Sequence, residues 1–528
     1  MFRPQKGQII LALLSGLLMV LIFPKADQGW LAWVALVPLL LGLRKADWRQ
    51  GLTIGFITGL VHYLGLMYWT THTMHIYGHL PMYLSVFILV LFATCLALYT
   101  GVFGLVLARI NPRPWQLPLI APAVWVAVEM LRSVLFTGFP WELLGYSQYD
   151  HLWVLQWADL FGVYGLSSLI VMVNSVVALG VLHWIDKSWQ DETVSFTLVR
   201  NAGVVVLCAL VVVVIYGTLR VRTIDTKMAQ TTNVSVAVIQ GNIDQAQKWA
   251  PRFQLLTTVK YKNLSAQAAV QKPDLIVWPE TATPFYFTRD PLLSRMVIEG
   301  IKATGSDYII GSPSAVVPQD EGPITYRNSA YLVSAQGNVL GQYDKVHLVP
   351  YGEYVPMKRW MPFIDKLVAQ VGDFKPGQRG ETLPWKTHPI GMQICYEVIF
   401  PGLVRSMVNN GAQLLVNITN DAWFDRTSAA YQHFSMAVFR SVENRRTLVR
   451  AANTGISGFI DPCGRIVAAT GLYEDAFVVS PVAMMANHSY YSRWGDWPAV
   501  AVVLVLLAPW LVKEAIKLRD VRRASFHG

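Results

Sequence analysis

Three residues of complementary chemistry stand at the ends of apolar runs: Glu280 in VWPET, Lys345 in YDKVHLVPYGEYVP and Cys395 in GMQICYEVIF. A thiol of ordinary pKa, about 8.5, is mostly protonated at neutral pH, so its attack on a carbonyl needs a base. A carboxylate becomes an adequate base when it is partly desolvated, and the run DLIVW before Glu280 supplies an apolar setting. Attack on an ester carbonyl creates an oxyanion, which Lys345 and a backbone N–H beside Cys395 would hold. Nucleophile, base and oxyanion donor are therefore all present, although spacing alone does not bring them together. Taken singly, each has an ordinary reading. A lone cysteine after an apolar run is commonly core filler, and a lone Glu or Lys at a strand end is commonly solvated.

Other candidates carry less. His347 follows Lys345 by two residues, on the same side of an extended strand, but no Asn or Asp completes a Cys-His site. It reads as a packed or hydrogen-bonded side chain. Asp421 and Asp425 in NDAWFD lack the accompanying ligands that a metal requires. The four cysteines, Cys95, Cys208, Cys395 and Cys463, form neither a disulfide framework nor a CxxC or Cys/His cluster. No metal or other cofactor is expected.

Strand ends can present such side chains to a cleft while the strand bodies stay buried. From residue 233 the chain reads as strands alternating with helices. NVSVAVIQGNI, DLIVWPET, YIIGSPSAV, SAYLVSAQGNVLGQYDKV, IGMQICYEV and AQLLVNITND are apolar strands. Helices are predicted over about 251–271, through PLLSRMVIEGIKATG with Gly305 at its end, and over about 427–446. SAQGNVLG and DPCGRIVA read as hairpins closed by glycine-containing turns. The alternation predicts a layered α/β domain.

The rest of the chain is different in kind. Of 528 residues, 53% are hydrophobic and 14% charged, with a mean hydropathy of +0.38, whereas soluble domains carry about a quarter charged residues. The excess lies before about residue 220 and after about 496. Seven apolar segments, at about 8–24, 29–43, 51–71, 83–109, 116–135, 154–185 and 201–219, and an eighth at about 497–513, are read as spans. The first has no small-x-small cleavage site in FPKADQGW and is read as an uncleaved helix.

One set of connecting segments carries Arg3 and Lys6; Arg44, Lys45 and Arg49; Arg109 and Arg113; Lys187 and Arg200; and the basic tail from Lys513 to Arg523. The alternating set carries little beyond Lys25 and Arg132. The positive-inside rule then puts both termini in the cytoplasm and residues 220–496 on the outer side, the periplasm of a bacterium with two membranes. The predicted domains are residues 1–219 (seven helices), 220–496 (catalytic) and 497–528 (last helix and basic tail). The net charge of +10 could suggest nucleic acid, but it sits beside apolar runs, as membrane topology requires. TATPFYF, and residues 357–374 with Trp360 and Phe363, are read as lids at the lipid headgroup boundary.

The segments VWPET, YDKVHLVPYGEYVP, QICYEVIFP and NDAWF resemble those of the nitrilase superfamily, with its Glu-Lys-Cys triad. With the flanking spans, essentially the whole chain is similar to the apolipoprotein N-acyltransferase family of Gram-negative bacteria. That resemblance implies a multi-pass α-helical membrane domain of about eight spans and an α/β domain of αββα sandwich form. It implies that Cys395 takes an acyl chain from a phospholipid, phosphatidylethanolamine being the expected donor, as a thioester. The chain then passes to the N-terminal amine of an apolipoprotein's diacylglyceryl-cysteine. The family implies an inner-membrane enzyme acting as a monomer, without nucleic acid. By position, Glu353 in GEYVP would support the lysine, Tyr396 and Glu397 match residues needed for activity, and Trp249 matches a tryptophan near the substrate. A membrane-anchored amidase hydrolysing small amides would use the same triad but leaves the spans unexplained. A transporter would need more charged residues inside its spans than Glu129 and Asp159.

Overall fold

A computed structural model describes residues 4–316, 324–355 and 374–526. The chain divides into two compact units. The first comprises Met1–Thr71, Met82–Gly217 and Trp494–Gly528; the second comprises His72–Pro81 and Thr218–Arg493. Residues 72–81, read above as a loop of the membrane part, fold with the second unit.

The first unit is helical. Among the described residues, five helices are long and apolar enough to cross a bilayer: Met82–Ile110, Pro114–Val134, Ala158–Trp184, Phe196–Ala229 and Trp497–Ile516. The bent pair Trp48–Leu66 and Trp69–Tyr77 would make a sixth, while Lys6–Leu21 and Gly29–Leu43 are apolar but shorter. Helix length and composition thus support five or six spans, and the eight expected would need both shorter helices to cross as well. Close approach through glycine holds the most intimate pair together. Gly51, Gly55 and Gly59 recur every fourth residue on Trp48–Leu66 and meet Met82–Ile110. A Cβ on Gly55 would lie 2.3 Å from the carbonyl oxygen of Thr100, and one on Gly104 would lie 2.2 Å from that of Gly51.

Several polar residues inside this unit bond to one another. Arg132 was counted above as a loop charge, but it lies buried in Leu117–Val134 and donates to the Tyr63 hydroxyl at 2.7 Å. Glu129, one turn away, accepts from Trp125 Nε1 at 3.0 Å and from the Leu144 amide at 2.8 Å. The Tyr216 hydroxyl donates to Asp159.

The second unit contains, among the described residues, two six-stranded sheets. Its strands, in chain order, are β1 (Asn233–Gln240), β2 (Leu275–Val277), β3 (Asp307–Val316), β4 (Thr325–Val333), β5 (Val339–Asp344), β6 (Thr382–Leu383), β7 (Ile390–Ile394), β8 (Leu414–Thr419), β9 (Leu448–Ala452), β10 (Gly458–Ile460), β11 (Ile466–Ala469) and β12 (Ala476–Ala483). One sheet runs β12-β1-β2-β3-β4-β5 and the other β11-β10-β9-β8-β7-β6. Each has a parallel centre, β1-β2-β3 or β7-β8-β9, flanked by antiparallel strands. The central strands are largely buried on both faces, so they are written as mainly apolar runs rather than strict alternations.

The sheets meet through β1 with β9 and β4 with β7. Helices α1 (Pro251–Ala269) and α2 (Pro291–Thr304) cover the first sheet, and α3 (Pro401–Asn409) and α4 (Ala429–Asn444) the second. This is the expected αββα sandwich. Helix α2 shows how local sequence defines its ends. Asp290 accepts from the amides of Leu292 and Leu293, Pro291 opens the first turn, and Gly305 at φ +70° closes the last.

Candidate active site

Glu280, Lys345 and Cys395 all follow directly from strands. Lys345 is the first residue after β5, Cys395 the first after β7, and Glu280 lies three past β2. Sheet packing thus gathers ends that are far apart in sequence. Lys345 Nζ lies 3.6 Å from Glu280 Oε1 and 3.0 Å from the Glu353 carboxylate. All three groups are buried or nearly so. Burial alone disfavours the charged form of Lys345, but Glu353 and Glu280 outweigh it and raise its pKa. The site therefore holds an obligate cation between two carboxylates.

Asn328, in the middle of β4, fixes that geometry. Its Nδ2 donates to Glu280 Oε1 at 2.7 Å and to Glu353 Oε1 at 2.9 Å. The Asn420 amide donates to Glu280 Oε2 at 2.9 Å. Both oxygens of Glu280 are thereby held. Lys248, fully buried, donates to the Glu280 carbonyl at 3.3 Å and to the Thr281 hydroxyl at 2.7 Å. Burial pushes Lys248 down to about 7, with Glu280 opposing the shift.

Cys395 sits at φ +54°, a left-handed conformation that residues with a Cβ adopt only at a cost. Its carbonyl accepts from His433 Nε2 at 3.2 Å and from Asn417 Nδ2 at 3.4 Å. A carbonyl only accepts, so His433 carries its proton on Nε2. Nδ1 lies 2.9 Å from Arg450 and 3.1 Å from Asp421 Oδ1, and Arg450 also donates to Asp421 Oδ2 at 2.8 Å. Burial, reinforced by Arg450, lowers the pKa of His433, in keeping with a neutral ring. Burial also pushes the Cys395 thiol up to about 12; Glu280 adds to the rise and Lys345 opposes it. Burial therefore favours the neutral thiol in this site.

The remaining predicted residues divide. Glu353 joins Lys345 and also accepts from the Val349 amide at 2.9 Å. Glu397, fully buried, accepts from the amides of Val346, His347 and Ile394 at 2.6, 3.0 and 2.7 Å and from the Tyr343 hydroxyl. It ties the residues after Lys345 to the end of β7. Burial raises Glu397 to about 7 against these hydrogen bonds. Tyr396 packs edge-on against Phe400, on which His347 stacks at 3.7 Å. His347 is thus a packed residue, pushed down to about 4 by burial and by Lys345. Trp249 is about half exposed, next to Lys248.

The lid reading of TATPFYF is corrected. Phe285 and Phe287 belong to the core between the first sheet and its helices, leaving Tyr286 partly exposed. The other expected lid, with Trp360 and Phe363, lies outside the described residues apart from Phe374. Sequence reasoning missed Asn328, Asn420, Lys248 and His433. An amide in the buried strand TYRNSAYLV and a histidine in the buried helix AAYQHFSMAVFRSVEN are the signals that could have found two of them.

These positions belong to a recognisable class. Residues 235–484 match the carbon-nitrogen hydrolase family, so the second unit has the nitrilase-superfamily fold. An amidase from Nesterenkonia sp. is similar at 21% identity, covering 48% of this chain and 91% of its own, with a TM-score of 0.37. Residues 15–176 match the apolipoprotein N-acyltransferase N-terminal domain. The apolipoprotein N-acyltransferase of Geobacter metallireducens is 43% identical over 503 residues, 94% of each chain, and that of Methylococcus capsulatus is 30% identical over 500 residues, again 94% of each. The chain belongs to the apolipoprotein N-acyltransferase family, a bacterial membrane enzyme family that transfers acyl groups.

Proposed function

We propose that the chain N-acylates bacterial apolipoproteins through a thioester on Cys395. The observation that carries this reading is the ion-paired cluster in which Glu353 joins Glu280 and Lys345, two residues that follow strands as Cys395 does. Glu280 accepts the thiol proton as sulfur attacks the ester carbonyl of a phospholipid, phosphatidylethanolamine being the favoured donor. Lys345 and a backbone N–H beside Cys395 hold the oxyanion. The C–O bond breaks, the lysophospholipid oxygen takes the proton back from Glu280, and an acyl thioester remains. The N-terminal amine of the acceptor's diacylglyceryl-cysteine then attacks the thioester. Glu280 takes the amine proton, an amide forms and the thiol is restored. Because the first product leaves before the amine arrives, the kinetics are ping-pong. Tyr396, Glu397, Glu353 and Trp249 are assigned supporting roles, and the enzyme works as a monomer.

Phospholipid labelled in its acyl chain, presented with a diacylated lipopeptide, tests the reading. Label on the peptide amine supports it; release of free fatty acid alone marks a hydrolase. Glu280→Gln keeps the shape of the side chain but removes the base. We expect thioester formation to slow by about 10²–10⁴-fold, read by single-turnover kinetics. A wild-type rate in this variant would remove Glu280 from the role.

We also propose eight crossings of the inner membrane, with both termini cytoplasmic and the second unit periplasmic. The basic residues flanking alternate helix ends support this, and burial of Arg132 leaves the opposite set poorer still. Protease added to spheroplasts should cut within residues 220–496 and spare both termini. Protection of that region would reverse the topology.

A further inference from the structure

Residues 72–81 lie in sequence between two apolar helices yet fold with the catalytic unit. They include a π-helical turn, Thr73–Tyr77, a rare form often found where function demands it. This turn meets the loop after β8, residues 420–425. Thr73 Oγ1 donates to the Trp423 carbonyl at 2.8 Å, and the Tyr77 hydroxyl donates to the Ala422 carbonyl at 2.9 Å. The Tyr77 ring meets Trp423 edge-on at 5.1 Å, and His72 Nε2 lies 3.6 Å from Asp425.

The same short loop reaches both reacting residues from its other end. The Asn420 amide holds Glu280 Oε2, and Asn420 Nδ2 donates to Gln245 at 2.6 Å. Asp421 is joined through Arg450 to His433, whose Nε2 holds the Cys395 carbonyl. The loop also turns through a left-handed residue, Asp425 at φ +50°. A segment with such a turn needs outside bonds to keep one conformation, and two of its carbonyls find those bonds in hydroxyls from 350 and 345 residues away in sequence.

We infer that Thr73 and Tyr77 are positioning residues for acyl transfer: their two hydroxyls clamp the 420–425 loop, which aligns base and nucleophile. This rests on the assignment of Glu280 and Cys395 proposed above. The clamp would act through the loop rather than on lipid or amine. Its loss should slow the chemical step and leave donor affinity unchanged.

The test is single-turnover thioester formation by the full-length enzyme in vesicles of phosphatidylethanolamine and phosphatidylglycerol, with Tyr77→Phe, Thr73→Val and the double variant. Each change removes one hydroxyl and little volume. Loss of one neutral hydrogen bond corresponds to about 2–12-fold, so each single variant should slow the rate constant within that range and the double variant should slow it further. The phospholipid KM and the final acyl stoichiometry should stay at wild-type values, and Thr73→Ser should recover most of the rate lost in Thr73→Val. A merely structural role would lower the stoichiometry and the melting temperature while active molecules kept the wild-type rate constant; that result overturns the inference, as does a wild-type rate in the double variant. Cys395→Ala and Glu280→Gln run alongside keep the two readings apart. If they are inactive while the clamp variants are normal, the clamp alone is wrong. If they form thioester normally, the triad is wrong.

Discussion

Cys395→Ala should abolish N-acylation, with the rate falling by about 10⁴-fold or more, and should leave the fold intact. Alanine also has a Cβ, so the left-handed backbone at this position costs both residues the same, and the change tests chemistry rather than conformation. The contacts that hold the backbone here, from His433 and Asn417, go to the Cys395 carbonyl and survive the substitution. Cys95 and Cys208 lie on helices of the first unit, and Cys463 is fully buried and pushed up to about 11 by that burial. Cys395→Ser should also lose nearly all turnover. An alcohol is far less acidic than a thiol, so the proposed proton transfer to Glu280 would be harder still. Transfer assays on purified protein, with circular dichroism to check the fold, decide the matter. Residual transfer above a hundredth of wild type in the alanine variant would mean that another group carries the acyl chain.

Lys345→Met should impair both catalysis and stability, for separable reasons. Methionine matches the aliphatic stem but removes the charge that pairs with both Glu280 and Glu353, which are nearly buried. Removing one partner of a buried ion pair typically costs about 3–5 kcal/mol, because the remaining charge has no compensation. Asn328 continues to bridge the two carboxylates, so the pair would respond by binding a proton. Such a proton on Glu280 would also disable the base. Loss of an oxyanion donor adds about 10²–10³ in rate. The variant should therefore unfold at a lower temperature and transfer acyl groups at least about 10²-fold more slowly. Lys345→Met with Glu353→Gln should regain much of the stability but none of the rate. If stability and rate returned together, Lys345 would be a structural residue only.

The candidate residues Glu280, Lys345 and Cys395 could be picked out in the sequence because the strands that carry them are written plainly. Strands such as VAVI, LIV, IGMQI and LLVNIT are buried on both faces, so each appears as an apolar run that stops where the chemistry begins. The hairpins around Gly337 and Gly464 were legible for a similar local reason, since both glycines take positive φ.

What stayed hidden depends on tertiary register. Asn328 looks like any polar residue in a strand until β4 places it against a carboxylate 48 positions away. The His433–Arg450–Asp421 group joins a helix, a strand and a loop, and none of the three marks the others in sequence. Residues 72–81 were read as a loop because hydropathy reports where apolar helices lie, not which body a short polar stretch folds with. Arg132 misled for a related reason: a charge near the end of an apolar run resembles a loop residue until Tyr63 is found opposite it.

Mass spectrometry of the intact protein, purified from membranes without acceptor, bears most directly on the mechanism. A fatty-acyl mass on Cys395, removed by neutral hydroxylamine and missing from Cys395→Ala, is the predicted result. Continued formation of N-acylated lipoprotein by an enzyme that never carries acyl mass at this position would contradict it.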